Sequence, residues 1–122
     1  MDESLKAAVD LFNAGRFTEF QDALEVMVSR TRAASERQFY TLLRHLAEAL
    51  HQISNAELES AEALLKPGMR KLEEYVPRFR GLNIEAFRED FGRVMQELHD
   101  VRSGRTKEFR VDRLPRLRAL PE

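Results

Sequence analysis

Residues 37–53 of the chain, RQFYTLLRHLAEALHQI, carry the pattern that decides the fold. Apolar side chains recur here at alternating steps of three and four residues, at Phe39, Leu42, Leu46, Ala49 and Ile53. This spacing places them on one face of an α-helix, which turns once about every 3.6 residues. Leu43 and Leu50 widen the apolar stripe. We therefore predict a long helix that buries a broad face at the centre of a small helical bundle.

Length and composition indicate one soluble globular domain. The chain has 122 residues, of which 43% are hydrophobic and 34% are charged, enough for a single core with solvated helix faces. The formal net charge of −1 gives no overall attraction to nucleic acid or membrane. The lack of cysteine excludes disulfides, thiolate metal sites and a cysteine nucleophile. Without a signal-peptide pattern or a membrane-length apolar run, we expect a cytoplasmic protein that does not contact membranes.

Cap signals divide the chain before the central helix into two short helices. The acidic start Asp2-Glu3-Ser4 suits a helix N-terminus, and the glycine of Asn13-Ala14-Gly15 suits the end of that helix. Thr18 and Gln21 have the spacing of a capping box for a second helix. Ser35 is predicted to cap the central helix, which ends near Ser54-Asn55. The short first connection predicts that the first two helices pack as a hairpin.

A fourth helix is predicted over residues 56–75, although Pro67-Gly68 lies inside it. The apolar stripe keeps its phase across this dipeptide, at Leu58, Ala61, Leu65, Met69 and Leu72. A loop would have no reason to preserve that rotation, so we favour one helix kinked at Pro67 over two separate helices. Residues 76–82 are predicted to form a loop, and Asn83 to cap a final long helix that ends at Ser103-Gly104.

The C-terminal residues are too apolar for a free tail and contain too much proline for a long helix. Leucines at positions 114, 117 and 120 surround Pro115. We predict an extended arm that lies over the bundle or over a neighbouring subunit. The fold prediction is therefore an all-α bundle of about five helices in residues 1–102, with its fourth helix kinked at a proline, and a C-terminal arm in residues 103–122.

Three passages match motifs that occur together in one protein family. Residues 21–28, QDALEVMV, follow a family pattern H-E-x-L-E-x-x-W on the second helix. Residues 39–53 begin with the family's aromatic pair but have Leu42 where the family has glycine. Residues 77–87, PRFRGLNIEAF, follow P-x-x-x-G-x-(D/N)-(V/I). Over roughly residues 8–98 the chain thus resembles domain-of-unknown-function family 309, small all-helical proteins often described as metal-dependent hydrolases.

The resemblance implies a hydrolase-like pocket between the second and third helices, but the chain departs from the family there. Gln21 stands in place of the family's histidine, Asp22 in place of its first glutamate, and Val28 in place of its tryptophan. An imidazole is a good ligand for a transition metal, whereas a glutamine amide is a poor one. We therefore expect the family's chemistry to be weak or absent in this chain.

Ligand spacing also argues against a metal ion. Gln21 and Glu25 are neighbours on a helix, whereas Asp22 is rotated by about 100° from Gln21. His45 and His51 differ by about 120° in direction, so one unbroken helix cannot aim both at one ion. Glu25 with a single histidine is too few ligands for zinc, which takes three or four from protein. We predict no metal and no other cofactor.

General acid–base chemistry is the remaining enzymatic hypothesis. Glu25 with His45 or Tyr40, across the interface of the second and third helices, would supply it. Tyr40 could line a pocket, or it could equally lie at the helix edge with its hydroxyl in water. For the other two residues the simpler interpretations are a Glu25 that is solvated or paired with arginine and a partly buried, hydrogen-bonded His45. We favour these, so the candidate pocket is a hypothesis without an assigned catalytic residue. Its members are Gln21, Asp22, Glu25, Tyr40 and His45.

The leading functional prediction is a non-enzymatic protein-interaction or structural domain. Its expected partner is another protein or a second copy of itself, contacted through the arm or a helix face. The hydrolase-like pocket is the first alternative. The second is weak nucleic-acid binding through the basic residues of the arm, although no aromatic stacking platform accompanies them. Those residues are Arg105, Lys107, Arg110, Arg113, Arg116 and Arg118.

Overall fold

The computed structural model of this protein describes residues 1–106, 109 and 114–121. It has the five helices α1 (Glu3–Asn13), α2 (Phe17–Arg30), α3 (Ala34–Ser54), α4 (Leu58–Leu72) and α5 (Ile84–Arg102). A 3₁₀ turn, Glu73–Tyr75, and an antiparallel hairpin, β1 (Arg78–Phe79) and β2 (Leu82–Asn83), connect α4 to α5. The predicted all-α class is confirmed. No helix in the described ranges is both long and apolar enough to cross a bilayer.

The central position of α3 follows from burial around about half of its circumference, at about 100° per residue. α3 packs against α2 on one side and α4 on the other, and these are the two most extensive helix contacts of the fold. Its buried residues are Phe39, Tyr40, Leu42, Leu43, Leu46, Ala47, Ala49, Leu50 and Ile53. The predicted apolar stripe is confirmed, and Tyr40 and Ala47 extend it.

The turn between α1 and α2 shows where local cap signals succeed and fail. The Asp2 side chain accepts hydrogen bonds from the Ser4 and Leu5 N–H groups, as predicted. Gly15 ends α1 in the left-handed region at φ 75°. The capping box predicted at Thr18 is wrong, because α2 already begins at Phe17 without a side-chain cap.

The start of α3 also differs from the prediction. Ser35 lies inside the first turn, because α3 begins at Ala34 and no side chain caps it. Arg37 stabilises the preceding turn instead, since its Nη1 donates to the carbonyls of Thr31 at 3.1 Å and Arg32 at 2.7 Å. A long side chain from within the helix therefore satisfies main-chain acceptors that lie before the helix starts.

α4 runs through Pro67 as one helix, as the continuous stripe predicted. The following residue brings α4 very close to α3. Gly68 is buried, and a Cβ atom added to it would lie 2.8 Å from Leu46 Cδ2. Because Leu46 is itself fully buried, the side chain has little space to move away. Glycine at position 68 thus permits the close α3–α4 contact.

The segment predicted as a loop, residues 76–82, instead contains β1 and the start of β2. Arg80 and Gly81 form its two-residue turn with φ values of 52° and 78°, the left-handed pair that a tight hairpin requires. The sequence signal was an Arg-Gly dipeptide between Phe79 and Leu82. It is weaker than Asn-Gly because arginine rarely adopts positive φ. The predicted cap Asn83 is confirmed, since its side chain accepts from the Ala86 N–H.

The arm lies against the bundle of the same chain in residues 114–121. Leu117 is buried with only 2% exposure, and Leu114 and Leu120 are half-buried. Leu82 of β2 forms an antiparallel bridge with Ala119. The arm thus joins the core rather than extending freely from α5.

Two glycine substitutions test the close α3–α4 contact. Gly68→Ala is expected to lower the free energy of unfolding by about 1 kcal/mol, because overpacking exceeds the gain in helix propensity. Gly92→Ala is the control, since Gly92 is exposed inside α5 and an added Cβ meets nothing within 4 Å. It is expected to raise stability by about 0.5–1 kcal/mol. Urea unfolding measures the free energy of unfolding of both variants. An equal increase in the two variants would show that position 68 has room for a Cβ atom and that the α3–α4 contact does not require glycine.

Candidate functional site

A row of polar side chains runs along one flank of the α2–α3 contact. We call it the polar seam, and it consists of Gln21, Glu25, Arg44, Glu48 and Gln52. The Gln21 Nε2 atom donates to Glu48 Oε2 at 3.1 Å, and Gln52 Nε2 donates to Glu48 Oε1 at 3.4 Å. Arg44 Nη2 lies 3.9 Å from Glu25 Oε2. The four-residue spacing on both helices brings these groups face to face.

Two atoms of the polar seam are incompletely satisfied. Arg44 Nε and Gln52 Oε1 are buried and have no hydrogen-bond partner among the described residues. A buried polar atom without a partner costs about 1–3 kcal/mol. The polar seam therefore contributes less to stability than its hydrogen bonds alone suggest.

The three candidate residues on α2 differ in their surroundings. Gln21 is half-buried, and Asp22 is exposed on the adjacent face, as its rotation predicted. The Glu25 side chain is 68% exposed and its contact with Arg44 is long, so solvent screens it. This agrees with the simpler interpretation of Glu25 as a solvated carboxylate beside an arginine. Gln21 and Glu25 share the polar seam, whereas Asp22 lies outside it.

Tyr40 lies in a different part of the molecule. It is 1% exposed, so the helix-edge alternative is wrong, and its hydroxyl accepts from Arg80 Nε at 3.4 Å. Arg80 Nη1 also lies 3.6 Å from Glu36 Oε1. The hydrogen bond with Tyr40 raises the pKa of Arg80 above its ordinary value. Arg80 therefore remains a cation beside the buried phenol.

Tyr40 and Arg80 line a cleft of about 620 Å³, which we call the N-terminal cleft. Its walls come from the residues before α1, the second half of α2, the start of α3 and the hairpin turn. This volume is within the usual range for a small-ligand or peptide pocket, roughly 300–1,000 Å³. The lining residues include neither Glu25 nor His45.

His45 is exposed and lines a second cleft of about 560 Å³, with Lys71, Glu74 and Tyr75. The predicted partial burial of His45 is wrong, because its position on α3 falls outside the buried arc. The structure thus brings Gln21 and Glu25 together but places Tyr40 and His45 in two other locations. A Glu25 base paired with either Tyr40 or His45 has no shared cleft in which to act.

The residues present do not fit the metal ion that the family resemblance implies. In the described ranges, no group of three or more aspartate, glutamate or histidine side chains is arranged to hold a metal. On α3, His51 Nε2 contacts Asn55 Nδ2 at 3.3 Å, whereas His45 faces the second cleft. No metal-dependent step is therefore assigned to these residues.

The basic residues of the arm lie in several environments. Arg105 is exposed and 3.9 Å from Asp100, and Arg116 is also exposed. Arg118 Nη1 lies 3.2 Å from Asp90 Oδ2, so an acidic partner within the chain compensates its charge. Lys107, Arg110 and Arg113 lie outside the described residues. In the described part of the arm, Arg105 and Arg116 are thus the two exposed cations without a close acidic partner, and they do not form a continuous basic strip.

Sequence reasoning did not identify Asp90, which is only 6% exposed. Its carboxylate accepts from the Arg116 N–H at 3.1 Å, and both Arg93 and Arg118 pair with it. The sequence does contain an indication of its burial, because position 90 falls on the same face of α5 as the apolar residues Phe87 and Val94. A carboxylate on an apolar face requires hydrogen-bonding or charged partners, and the arm supplies two of them, the Arg116 N–H and Arg118.

Comparisons with family models, with curated proteins and with solved structures found no match to this chain. The resemblance to domain-of-unknown-function family 309 therefore stays a prediction.

A pair of substitutions on α2 tests the polar seam. Gln21→Ala removes the donor to Glu48 and is expected to lower the free energy of unfolding by about 1 kcal/mol. Asp22→Ala replaces the exposed residue beside Gln21 and is expected to change the free energy of unfolding by less than about 0.5 kcal/mol. Urea unfolding at neutral pH measures both values. Equal effects would show that the Gln21–Glu48 hydrogen bond does not form in solution.

Proposed function

We propose that this protein is a non-enzymatic interaction domain that acts as a homodimer. The observation that carries the proposal is the position of its exposed apolar side chains. Among the residues that the structure describes, Met1 and Val26 are the large hydrophobic residues left exposed, at 45% and 47%. Val26 lines the N-terminal cleft, and Met1 precedes Asp2, which lines it too. An exposed apolar side chain in the wall of a cleft is compatible with a protein contact surface.

The lining of the N-terminal cleft has the composition of an interface. Ala23, Val26 and Met27 form an apolar strip on α2 beside the Tyr40 ring. Charged residues surround this strip, and they are Asp2, Arg30, Arg32, Glu36 and Arg80. An apolar centre with a charged rim is the usual layout of a protein–protein contact.

The mixture of charges favours a second copy of the chain as the partner. A two-fold interface places the same surface of both subunits together, so the surface must be complementary to itself. Here Arg30 ends α2 and Arg32 follows it in the turn, whereas Asp2 precedes α1 and Glu36 lies in the first turn of α3. Rotation about a two-fold axis can pair basic groups of one subunit with acidic groups of the other. The net charge of −1 opposes association only weakly.

The distribution of the candidate pocket residues favours this proposal over the two alternatives. Gln21 and Glu25 lie in the polar seam, Tyr40 lies in the N-terminal cleft, and His45 lies in the second cleft. A hydrolase needs its acid, base and nucleophile around one reacting atom. In the arm, Arg118 is engaged by Asp90, which reduces the charge available for nucleic acid.

The homodimer is tested by sedimentation velocity from about 10 to 500 μM, spanning micromolar dissociation constants. We expect the wild type to dimerise in this range and Val26→Glu to weaken dimerisation at least about tenfold, by burying an unpaired charge. Ala63→Glu is the control, since Ala63 is an exposed residue of α4 outside the N-terminal cleft. It is expected to leave dimerisation unchanged. A wild-type protein that remains monomeric throughout would contradict the proposal.

A further inference from the structure

A second surface of the molecule holds an extended stretch of polypeptide by its main chain. We call it the arm groove, and it is formed by Asn13, Asp90 and the Gly81–Asn83 edge of the hairpin. Residues 116–120 of the arm lie in it. Five main-chain groups of these residues are hydrogen-bonded, namely the N–H groups of Arg116, Leu117 and Leu120 and the carbonyls of Leu117 and Arg118.

Asn13 binds one residue of the arm at both of its main-chain groups. Its Nδ2 donates to the Leu117 carbonyl at 2.8 Å, and its Oδ1 accepts from the Leu117 N–H at 2.9 Å. One side-chain amide thus satisfies the donor and the acceptor of an extended residue. This contact is independent of the side chain that the residue carries.

The hairpin edge continues the same mode of recognition. The Asn83 N–H donates to the Arg118 carbonyl at 2.9 Å, and the Leu120 N–H donates to the Gly81 carbonyl at 2.9 Å. Leu82 and Ala119 form the antiparallel bridge between these bonds. Through this single bridge and the two hydrogen bonds beside it, the arm pairs with β2 as an added strand would. Addition of a strand to a free sheet edge is a common mode of peptide recognition.

Two side-chain contacts supply selectivity. Leu117 is buried with 2% exposure, so the arm groove contains a socket for one apolar side chain. Asp90 receives both the Arg116 N–H and the Arg118 guanidinium on Oδ2, at 3.1 and 3.2 Å. A carboxylate that is only 6% exposed is costly unless such partners are present. The arm groove therefore favours an apolar residue followed directly by arginine.

From this geometry we propose that the arm groove is a peptide-docking site, filled in the free protein by its own residues 116–120. Its occupant in a complex is an extended segment of a partner protein with an apolar residue followed by arginine. The arm acts as a competitor that is covalently joined to the arm groove, so its binding is intramolecular and a free peptide has to compete with it. A second copy of the chain offers the same segment without that advantage. This site is separate from the N-terminal cleft and does not depend on the homodimer.

The test measures binding of a fluorescent peptide to the full-length chain by anisotropy. The peptide is LPRLRALP, the sequence of residues 114–121, blocked at both ends. The Leu117→Asp chain keeps every residue of the arm groove but disables its own arm. We expect it to bind the peptide at least about tenfold more tightly than the wild type, which corresponds to about 1.4 kcal/mol. A control peptide with aspartate in place of its central leucine is expected not to bind.

Arg118→Glu provides a second test that leaves Leu117 in the core. It places a carboxylate beside Asp90, so the arm is weakened without a core substitution. We expect intermediate peptide affinity, between the wild type and Leu117→Asp. Far-UV circular dichroism confirms that each variant is folded.

Two results would overturn the proposal. Folded Leu117→Asp or Arg118→Glu chains that bind the peptide no better than the wild type would show that residues 116–120 do not cover a docking site. Disulfide-linked dimers of a chain carrying Asn13→Cys and Arg116→Cys, in which position 13 of one copy is joined to position 116 of the other, would identify a second copy as the occupant. Cross-links within one copy that peptide addition abolishes would support the proposal. None of these results depends on Val26, so failure here is distinguishable from failure of the homodimer.

Discussion

The burial of α3 against two neighbours is the constraint on which the rest of the structure depends. Phe39, Leu43, Leu46 and Leu50 are fully buried, and each such side chain contributes about 1.5–3 kcal/mol of apolar burial. α2 and α4 can cover the two sides only if both approach closely, and Gly68 permits this for α4. α1 then packs on α2 and α5 on α4. The order of helices along the chain is therefore also their order of contact.

The same constraint explains why the polar residues of α3 do not form one active site. A helix directs successive residues about 100° apart, so each polar side chain faces a different neighbour. Arg44 and Glu48 meet α2, His45 faces the second cleft, and Tyr40 reaches Arg80 on the hairpin. The N-terminal cleft and the arm groove, at the edges of this bundle, are the surfaces that we propose for binding other chains.

Sequence periodicity predicts those parts of the fold that depend on one helix at a time. The apolar stripes correctly predicted α3 and the continuation of α4 past Pro67. The predicted caps Asp2 and Asn83 are also confirmed. The predicted caps Thr18 and Ser35 are wrong because each helix begins one residue before the predicted cap, α2 at Phe17 and α3 at Ala34. The arm could be predicted as an extended, packed segment, but its position depends on Asn13, some 104 residues away. No local pattern identifies a hydrogen-bond partner at that separation.

Native-state hydrogen exchange, resolved for individual amides, tests the central role of α3 most directly. If two-sided burial of α3 organises the fold, the amides of Leu43, Leu46 and Leu50 exchange only through global unfolding. Their opening free energies then equal the value from urea unfolding, whereas Leu117 and Leu120 open at least about 2 kcal/mol more easily. Local opening of α3 below the stability of α1 or α5 would contradict the account, as would an arm protected as strongly as α3.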